Sequence, residues 1–199
     1  MLSKRQTEIV EIAVSLISGR GIQNLTIKNI ANELGVSEPA IYRHFASKYD
    51  ILCAVIDSFS AIASGILEQL VDSDESALDK VGRFMADRIE RMSEHPKLAK
   101  IMFSEEIFQD DPRLSARMLA MMHSHKEKIA MIIAQGQKQG QIRDDISPKT
   151  MFRLIFGPMR LLAKQWAMSG FAFDIVAEGS ELWQAQQKLF TAEISEKFL

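Results

Sequence analysis

The sequence predicts an all-α protein of about nine helices, organised as a small N-terminal head (residues 1–47) and a larger body (residues 48–199). Apolar residues recur at helical spacing, and no segment alternates convincingly between apolar and polar positions as a half-buried strand would. Asp111-Pro112 and Ser147-Pro148 are cap-and-proline pairs that mark helix starts. A chain of 199 residues, 47% hydrophobic, can form a small domain attached to a larger one.

The head begins with a helix that ends at Gly19-Arg20-Gly21. Its apolar residues fall on one face and are Ile9, Ile12, Ala13, Leu16 and Ile17. Thr26 can cap a short second helix, whose apolar residues are Ile27, Ile30, Ala31 and Leu34. Gly35 stands where this helix must end and the chain must turn sharply, which favours a residue tolerant of positive φ.

A third helix follows at once, with Ser37 as its cap and Pro39 in its first turn, where a missing N–H costs nothing. Ile41 and Phe45 are predicted to point into the core. The outward positions are polar, aromatic or small, and they are Glu38, Ala40, Tyr42, Arg43 and His44. Such a set on a helix of fewer than ten residues does not help a core. It is typical of a helix that enters a DNA major groove.

The body begins with a fourth helix, which Ser47 can cap with Asp50 at the capping-box position. Polar residues 72–75 separate it from a fifth helix, and His95-Pro96 ends that helix and starts a short sixth one. Asp111-Pro112 opens the seventh helix. Its predicted inward stripe is Leu114, Met118, Met121, Met122, His125, Ile129, Ile132 and Ile133.

Gly136 and Gly140 are expected to loosen the end of the seventh helix. Ser147-Pro148 starts the eighth helix, in which Gly157-Pro158 predicts a kink because proline removes a backbone hydrogen bond. The ninth helix carries apolar residues between Ile175 and Phe190.

Charge and composition exclude several classes of protein. The net charge is −2, and residues 1–50 carry six Lys or Arg against five Asp or Glu, so a protein that coats nucleic acid non-specifically is not expected. DNA binding must instead rest on a few placed cations and helix N-termini. A single cysteine, the absence of a signal-peptide pattern and the lack of an uncharged stretch approaching about 20 residues together predict a cytoplasmic protein. Cys53 is expected to be buried and inert.

The first fifty residues resemble the N-terminal domain of the TetR family of bacterial transcriptional regulators. The resemblance rests on the run Gly21-Ile22, Leu25-Thr26-Ile27, Ile30-Ala31, Leu34-Gly35-Val36-Ser37, Ile41-Tyr42-Arg43-His44-Phe45, Ser47-Lys48 and Ile51-Leu52, at the family's spacing. It implies a helix-turn-helix domain that binds double-stranded DNA as a homodimer at a near-palindromic operator. The residues that it assigns to DNA are Thr26, Lys28, Ser37, Glu38, Ala40, Tyr42, Arg43, His44 and Lys48.

Each of these positions has an implied role. Thr26, Tyr42, His44 and Lys48 would bind phosphates, Lys28 is a further phosphate contact, and Ser37 begins the recognition helix. Ala40 would let that helix lie close to base edges, and Arg43 would reach a guanine, contact a phosphate or stay solvated. Many family members have small or basic residues where this chain has Glu38-Pro39. We expect Glu38 to act on the helix dipole, which leaves the operator sequence unpredicted.

The body is rich in methionine, since ten of the eleven methionines lie between Met85 and Met168. Either they form a plain helical core or they line a site for apolar or amphipathic molecules of varied shape. The resemblance implies such a site among helices four to eight. Its candidate residues are Phe84, Met85, Met102, Phe103, Met118, Met121, Met122, Phe152, Phe156, Met159 and Trp166.

The last two helices carry wide apolar faces that include Leu161, Leu162, Trp183 and Leu189. They can pair with their copies across a two-fold axis, with Gly179 permitting close approach, or they can pack within the chain. No catalytic motif is present, and His123 and His125 would point about 200° apart on a helix, so we expect neither an enzyme, nor a metal site, nor a cofactor. The predicted function is a repressor released by an effector. The alternatives are a DNA-bound dimer that needs no effector, or an activator.

Overall fold

The computed structural model describes residues 2–102 and 111–191, without the side chains of residues 61–64. These ranges form nine α-helices and one short 3₁₀ turn at Ile22–Asn24. The α-helices are α1 (Lys4–Arg20), α2 (Ile27–Leu34), α3 (Glu38–Tyr42), α4 (Lys48–Val71), α5 (Ala77–Glu94), α6 (Pro96–Met102), α7 (Pro112–Lys138), α8 (Pro148–Met168) and α9 (Ile175–Phe190). No strand lies within the described ranges, where one isolated antiparallel bridge joins Ile142 to Thr191. The predicted all-α class is therefore confirmed.

The described residues divide into two compact units. Unit 1 contains residues 2–62, 95–102 and 111–121, and unit 2 contains residues 63–94 and 122–191. Unit 1 thus continues beyond residue 47, the predicted limit of the head.

Unit 1 has an apolar core to which two distant stretches of sequence contribute. Ile9, Ile30 and Ile51 are fully buried there, and Ile101 of α6 and Leu114 of α7 belong to the same core. At the surface of unit 1, Lys100 Nζ of α6 donates a hydrogen bond of 2.8 Å to the carbonyl oxygen of Ser18 in α1. The α6 helix therefore packs against α1 as part of the structure that holds the head.

Unit 2 brings three helical glycines against side chains of other segments. A Cβ at Gly82 would lie 2.4 Å from Trp183 Nε1, and one at Gly179 would lie 2.3 Å from Ile89 Cδ1. The prediction that Gly179 permits approach of a second copy is wrong, because this glycine packs against α5 of its own chain. Trp183 likewise contacts α5, so the competing prediction of intramolecular packing holds for these two residues.

The end of α7 also differs from expectation. Gly136 does not loosen it, because a Cβ at this position would lie 2.4 Å from Ala77 Cβ, and the glycine is buried inside the helix. Met122, placed in the inward stripe by its spacing, is 40% exposed. The turn comes after Lys138, where Gly140 adopts a φ of 68°.

Helix α8 continues through Pro158, which has no N–H to offer the carbonyl of Leu154 one turn earlier. That carbonyl oxygen accepts a hydrogen bond of 2.8 Å from Nε2 of Gln186, which lies on α9 and is 4% exposed. The same nitrogen lies 3.1 Å from the carbonyl oxygen of Ile155. A buried side chain on α9 thus replaces the backbone donor that proline removes.

By length and mean hydropathy alone, α4 could cross a membrane, and it is the one described helix that could. Buried helices of proteins without membrane spans pass the same test. In unit 1, Asp57 of α4 forms an ion pair with Arg117, and in unit 2, Glu68 of α4 forms one with Lys128. Both carboxylates lie within the span that would have to enter the hydrocarbon.

Candidate DNA-binding face and effector region

The turn between α2 and α3 is built by local hydrogen bonds that the sequence specifies. Thr26 caps α2, since its Oγ1 accepts a hydrogen bond of 3.1 Å from the backbone N–H of Asn29. Gly35 ends the helix in the left-handed conformation, with a φ of 66°, and the N–H of Val36 bonds to the carbonyl of Ala31. The predicted cap and the predicted turn are both confirmed.

Helix α3 is shorter and less firmly capped than expected. Ser37 occupies the cap position, but its hydroxyl makes no cap hydrogen bond, so that part of the prediction is wrong. Pro39 removes one of the backbone donors that a cap would serve, and the N–H of Ala40 bonds to the carbonyl of Ser37 instead. Ile41 and Phe45 are buried as expected and fix the helix to the core of unit 1.

The nine predicted DNA-binding residues all lie in unit 1, on or beside α2 and α3 and at the start of α4. Six of them are exposed, namely Thr26, Lys28, Ser37, Glu38, Tyr42 and Arg43, and three are half-buried, namely Ala40, His44 and Lys48. Tyr42 is the most informative of the nine, because the residue is 51% exposed although it adjoins the buried Ile41. A large aromatic residue presented to solvent on a short helix is available to a partner.

Two of these positions are held by contacts within unit 1. Lys48 Nζ lies 3.5 Å from the carbonyl oxygen of Ile22, at the 3₁₀ turn before α2. The carbonyl of His44 accepts a hydrogen bond of 3.2 Å from Nε2 of Gln6. The sequence analysis missed Gln6, which also completes a capping box with Ser3 at the start of α1. The Ser-x-x-Gln spacing at residues 3–6 was the signal for this role.

The structure divides the candidate effector residues between the two units. Met102, Met118 and Met121 pack in or against the core of unit 1. Phe103 lies outside the described residues. Phe84, Met85, Met122, Phe152, Phe156, Met159 and Trp166 belong to unit 2.

Within unit 2, the structure brings three phenylalanines together. The ring centroids of Phe152 and Phe156 are 4.4 Å apart in a stacked arrangement, and those of Phe156 and Phe84 are 5.8 Å apart. These residues form a continuous aromatic row, which we call the phenylalanine row. Trp166 lies elsewhere in the unit, where its Nε1–H donates a hydrogen bond of 2.9 Å to the carbonyl oxygen of Phe173.

A polar cluster of Arg88, Asp87 and His125 adjoins this row, and its grouping was not predicted. Arg88 is 5% exposed, its guanidinium carbon lies 5.6 Å from the centroid of the Phe84 ring, and its Nη2 lies 2.5 Å from Oδ2 of Asp87. His125 meets the same ring edge-on, with centroids 6.3 Å apart. Burial lowers the pKa of His125 to about 4, and the positive charges of Arg88 and Lys128 act in the same direction.

The family assignment follows from comparison with known sequences. A model of the bacterial regulatory proteins of the tetR family matches residues 9–55, and a model of the C-terminal region of YsiA-like proteins matches residues 58–187. The chain belongs to the TetR family. It is therefore a DNA-binding transcriptional regulator, a class of protein that is normally without enzymatic activity.

Among TetR-family relatives, the chain is 22% identical over 170 residues to the fatty acid metabolism regulator protein of Bacillus subtilis, covering 85% of this chain and 87% of that protein. It is 21% identical over 182 residues to the nucleoid occlusion factor SlmA of Vibrio vulnificus, covering 91% and 93%. The crystal structure of FadR from Bacillus subtilis in complex with stearoyl-CoA shares the fold, with a TM-score of 0.77, 21% identity and coverage of 90% and 96%.

In this TetR-family chain the surface of α8 and α9 carries an apolar groove of about 400 Å³. Its lining includes Leu161, Leu162 and Leu182, with Glu178 and Glu181 among the polar members. Leu161 is 58% exposed. The part of the predicted apolar faces of α8 and α9 that lines this groove is therefore open to solvent, whereas Trp183 of α9 packs against α5.

Proposed function

We propose that the protein is a homodimeric repressor that acts in the cytoplasm and leaves its operator when a small apolar or amphipathic effector binds. Residues 1–47 form the DNA-binding domain, and residues 48–199 bind the effector and form the dimer, with Lys48 at the start of α4 adding one contact to DNA. The observation that carries the DNA-binding part is the exposed Tyr42 on a helix that Ile41 and Phe45 fix to the core.

The assignment of DNA contacts follows the placement of the nine residues. Tyr42, Thr26, Lys28, His44 and Lys48 bind phosphates, which sets the position and orientation of the protein on the duplex but carries no sequence information. Ala40 and Arg43 lie on or beside α3 and approach base edges in the major groove. Ser37 begins this recognition helix, and Glu38 acts on its dipole. With a net charge of only −2 over the chain and no strongly basic half, these few contacts carry the affinity.

Dimerisation is proposed through α8 and α9. The exposed Leu161, Leu189 and Val176 are apolar residues on these two helices, and a two-fold axis would bury the same set from both copies. A dimer places two recognition helices in successive major grooves, roughly 34–36 Å apart, and this spacing requires a near-palindromic operator.

The effector is proposed to be a fatty acyl-CoA or a related acyl compound. Support comes from the likeness to FadR solved with stearoyl-CoA and from the phenylalanine row, which offers a hydrocarbon chain an aromatic surface inside unit 2. A coupling of about 1–3 kcal/mol between the two sites gives a 5- to 150-fold loss of operator affinity. The coupling is reciprocal, so operator DNA weakens effector binding by the same factor.

The first experiment selects operator sequences from random duplexes and measures binding by fluorescence anisotropy with and without stearoyl-CoA. We expect a palindromic consensus, a complex with an even number of subunits and a weaker complex when stearoyl-CoA is present. Selected DNA that binds single subunits would contradict the dimer. Operator affinity unchanged by any acyl-CoA of 12 to 18 carbons would favour a DNA-bound dimer that needs no effector.

A pair of variants tests whether the exposed Tyr42 contacts DNA. Tyr42→Ala should reduce affinity for all sequences alike by roughly ten-fold, because a phosphate contact is lost without a change in base preference. Tyr42→Phe removes only the hydroxyl, so comparison of the two variants separates the contribution of the hydroxyl from that of the ring. Wild-type affinity in Tyr42→Ala would show that α3 does not face DNA. A reporter gene placed behind the selected operator distinguishes repression from activation.

A further inference from the structure

The polar cluster of unit 2 consists of the buried Arg88 and the half-buried Asp87 on α5, together with the half-buried His125 on α7. Arg88 and His125 both lie against the ring of Phe84, at 5.6 Å and 6.3 Å from its centroid. Phe84 and Arg88 are four residues apart and so share one face of α5. The cluster therefore stands at one end of the phenylalanine row, and the row continues from Phe84 to Phe156 and Phe152.

Arg88 is the buried member of a pair of arginines that bind the same carboxylate, that of Asp87. Asp87 also accepts a hydrogen bond of 2.9 Å from Nε of Arg91, whose side chain is 43% exposed. Asp87 thus has a second cationic partner that reaches solvent. Burying the Arg88 guanidinium costs desolvation free energy, which also lowers the pKa of Arg88.

His125 supplies the second observation. Its Nε2 is buried and has no hydrogen-bond partner among the described residues. A buried ring nitrogen left unsatisfied costs free energy and calls for a partner that completes it. Burial and the charge of Arg88 keep the imidazole uncharged at neutral pH, and an uncharged ring protonated at Nε2 is a hydrogen-bond donor.

We infer that Arg88 and Nε2 of His125 bind the carbonyl or carboxylate oxygen of an acyl compound whose hydrocarbon chain lies along the phenylalanine row. This inference rests on the proposed function and specifies how the effector is recognised. Guanidinium and imidazole donors suit an acyl oxygen, whereas an alcohol or an alkane offers a weaker acceptor or none. The site thus selects acyl compounds among apolar molecules of similar length.

Three probes with the same twelve-carbon chain test the inference, namely laurate, lauroyl-CoA and 1-dodecanol. Binding to the full-length protein is measured by calorimetry, and release of the selected operator by anisotropy. The wild type should bind at least one acyl probe more tightly than dodecanol. Comparison of laurate with lauroyl-CoA shows whether a free acid or a thioester carries the recognised oxygen.

Arg88→Met is the test variant and Arg91→Met is its matched control, because both remove a guanidinium from the same carboxylate. Asp87 keeps one arginine partner in either variant. Arg88→Met should weaken binding of the preferred acyl probe roughly 10- to 100-fold, as expected for loss of a hydrogen bond to a charged group, and should change dodecanol binding by less than about three-fold. Arg91→Met should leave all three affinities unchanged.

Equal losses for the acyl probe and dodecanol in Arg88→Met, or equal binding of the two by the wild type, would overturn the inference while leaving the proposed function intact. If no probe binds the wild type, the proposed effector class and the inference both fail. A measurement on unmodified protein guards against misfolding of Arg88→Met. The histidines of the wild-type protein are labelled with ¹⁵N, and the Nε2 resonance of His125 is assigned by its loss in His125→Gln. The preferred acyl probe should shift this resonance more than dodecanol does. Equal shifts would overturn the inference.

Discussion

The two units differ in what their interiors contain. In the described part of unit 1 every buried side chain is apolar, whereas the buried polar residues among those that the structure describes, Lys80, Arg88 and Gln186, all belong to unit 2. Unit 2 also contains the three glycines, at 82, 136 and 179, whose helices approach other segments too closely for a Cβ. An apolar core suffices to hold a binding surface rigid. A core with buried polar groups is more costly to build and suits a unit whose interior recognises something.

The largest effect is expected where close helix contacts hold unit 2 together. Gly82→Ala places a methyl group within 2.9 Å of Trp183 Cε2, a rigid ring atom, and should lower the free energy of unfolding by about 2 kcal/mol. Gly65→Ala is the control, because no atom lies within 4 Å of its Cβ, and alanine should stabilise helix α4 there by about 0.5–1 kcal/mol. Denaturant unfolding measures both. Similar behaviour of the two variants would contradict close packing at Gly82.

A smaller effect should come from the buried amide on α9. Gln186→Leu removes the donor to the carbonyls of Leu154 and Ile155 and should cost about 1–2 kcal/mol of stability. In a Pro158→Ala background the alanine N–H can bond to Leu154 itself. The same substitution should then cost less, by roughly 0.5–1 kcal/mol in a double-mutant cycle. Strict additivity would show that Gln186 does not replace the donor missing at Pro158.

In unit 1 the expected changes concern DNA affinity and leave folding largely intact. Lys48→Ala should weaken operator binding roughly 3- to 10-fold and lower the slope of log K against log salt by about 1, because one phosphate contact is lost. Lys97→Ala is the control, since this exposed lysine of unit 1 contacts Ser15 on α1. An unchanged salt slope for Lys48→Ala would remove Lys48 from the interface.

A dependence of stability on pH should also be specific to unit 2. The pKa of His125 is about 4 in the folded protein and near 6.5 in an unfolded chain, so the unfolded state binds more protons between these values. Stability is unaffected by this group above about pH 6.5 and falls as the pH drops toward 4. His125→Gln should flatten part of this fall, and His123→Gln, at an exposed position, should not. Parallel curves for all three proteins would show that His125 does not titrate as inferred.

The sequence predicted the elements of unit 1 because their signals are local. Thr26, Gly35 and Ser47 act on backbone groups within a few residues, so their spacing alone predicts the caps and turns that the structure contains. The hydroxyl of Ser37 is the exception, because Pro39 alters the hydrogen bonds of the first turn of α3. The choice of exposed residues on α3 also followed from short-range periodicity.

Unit 2 was predicted less completely because its contacts join residues far apart in the chain. Helical spacing shows that Gly179 lies on a helix face, but it cannot show that Ile89 fills the space opposite. Arg88 was overlooked because arginine is rarely buried, and periodicity gives no reason to place it inside. The pairing of Gln186 with the carbonyl left by Pro158 spans 32 residues and has no local signature.

The core of unit 1 is assembled from two stretches of sequence, and the whole of helix α5, which belongs to unit 2, lies between them in the chain. This order of segments affects how the protein folds during synthesis. The ribosome delivers α1 to α3 first, yet Ile101 and Leu114 complete their core only after about sixty to seventy more residues have been added. At about 5–20 residues per second the nascent DNA-binding helices wait roughly 3–14 s for these partners. A fragment that ends at residue 62 would leave permanently exposed the apolar surface of this core, which the growing chain exposes only for seconds. Expression of the isolated N-terminal segment should therefore be limited by aggregation.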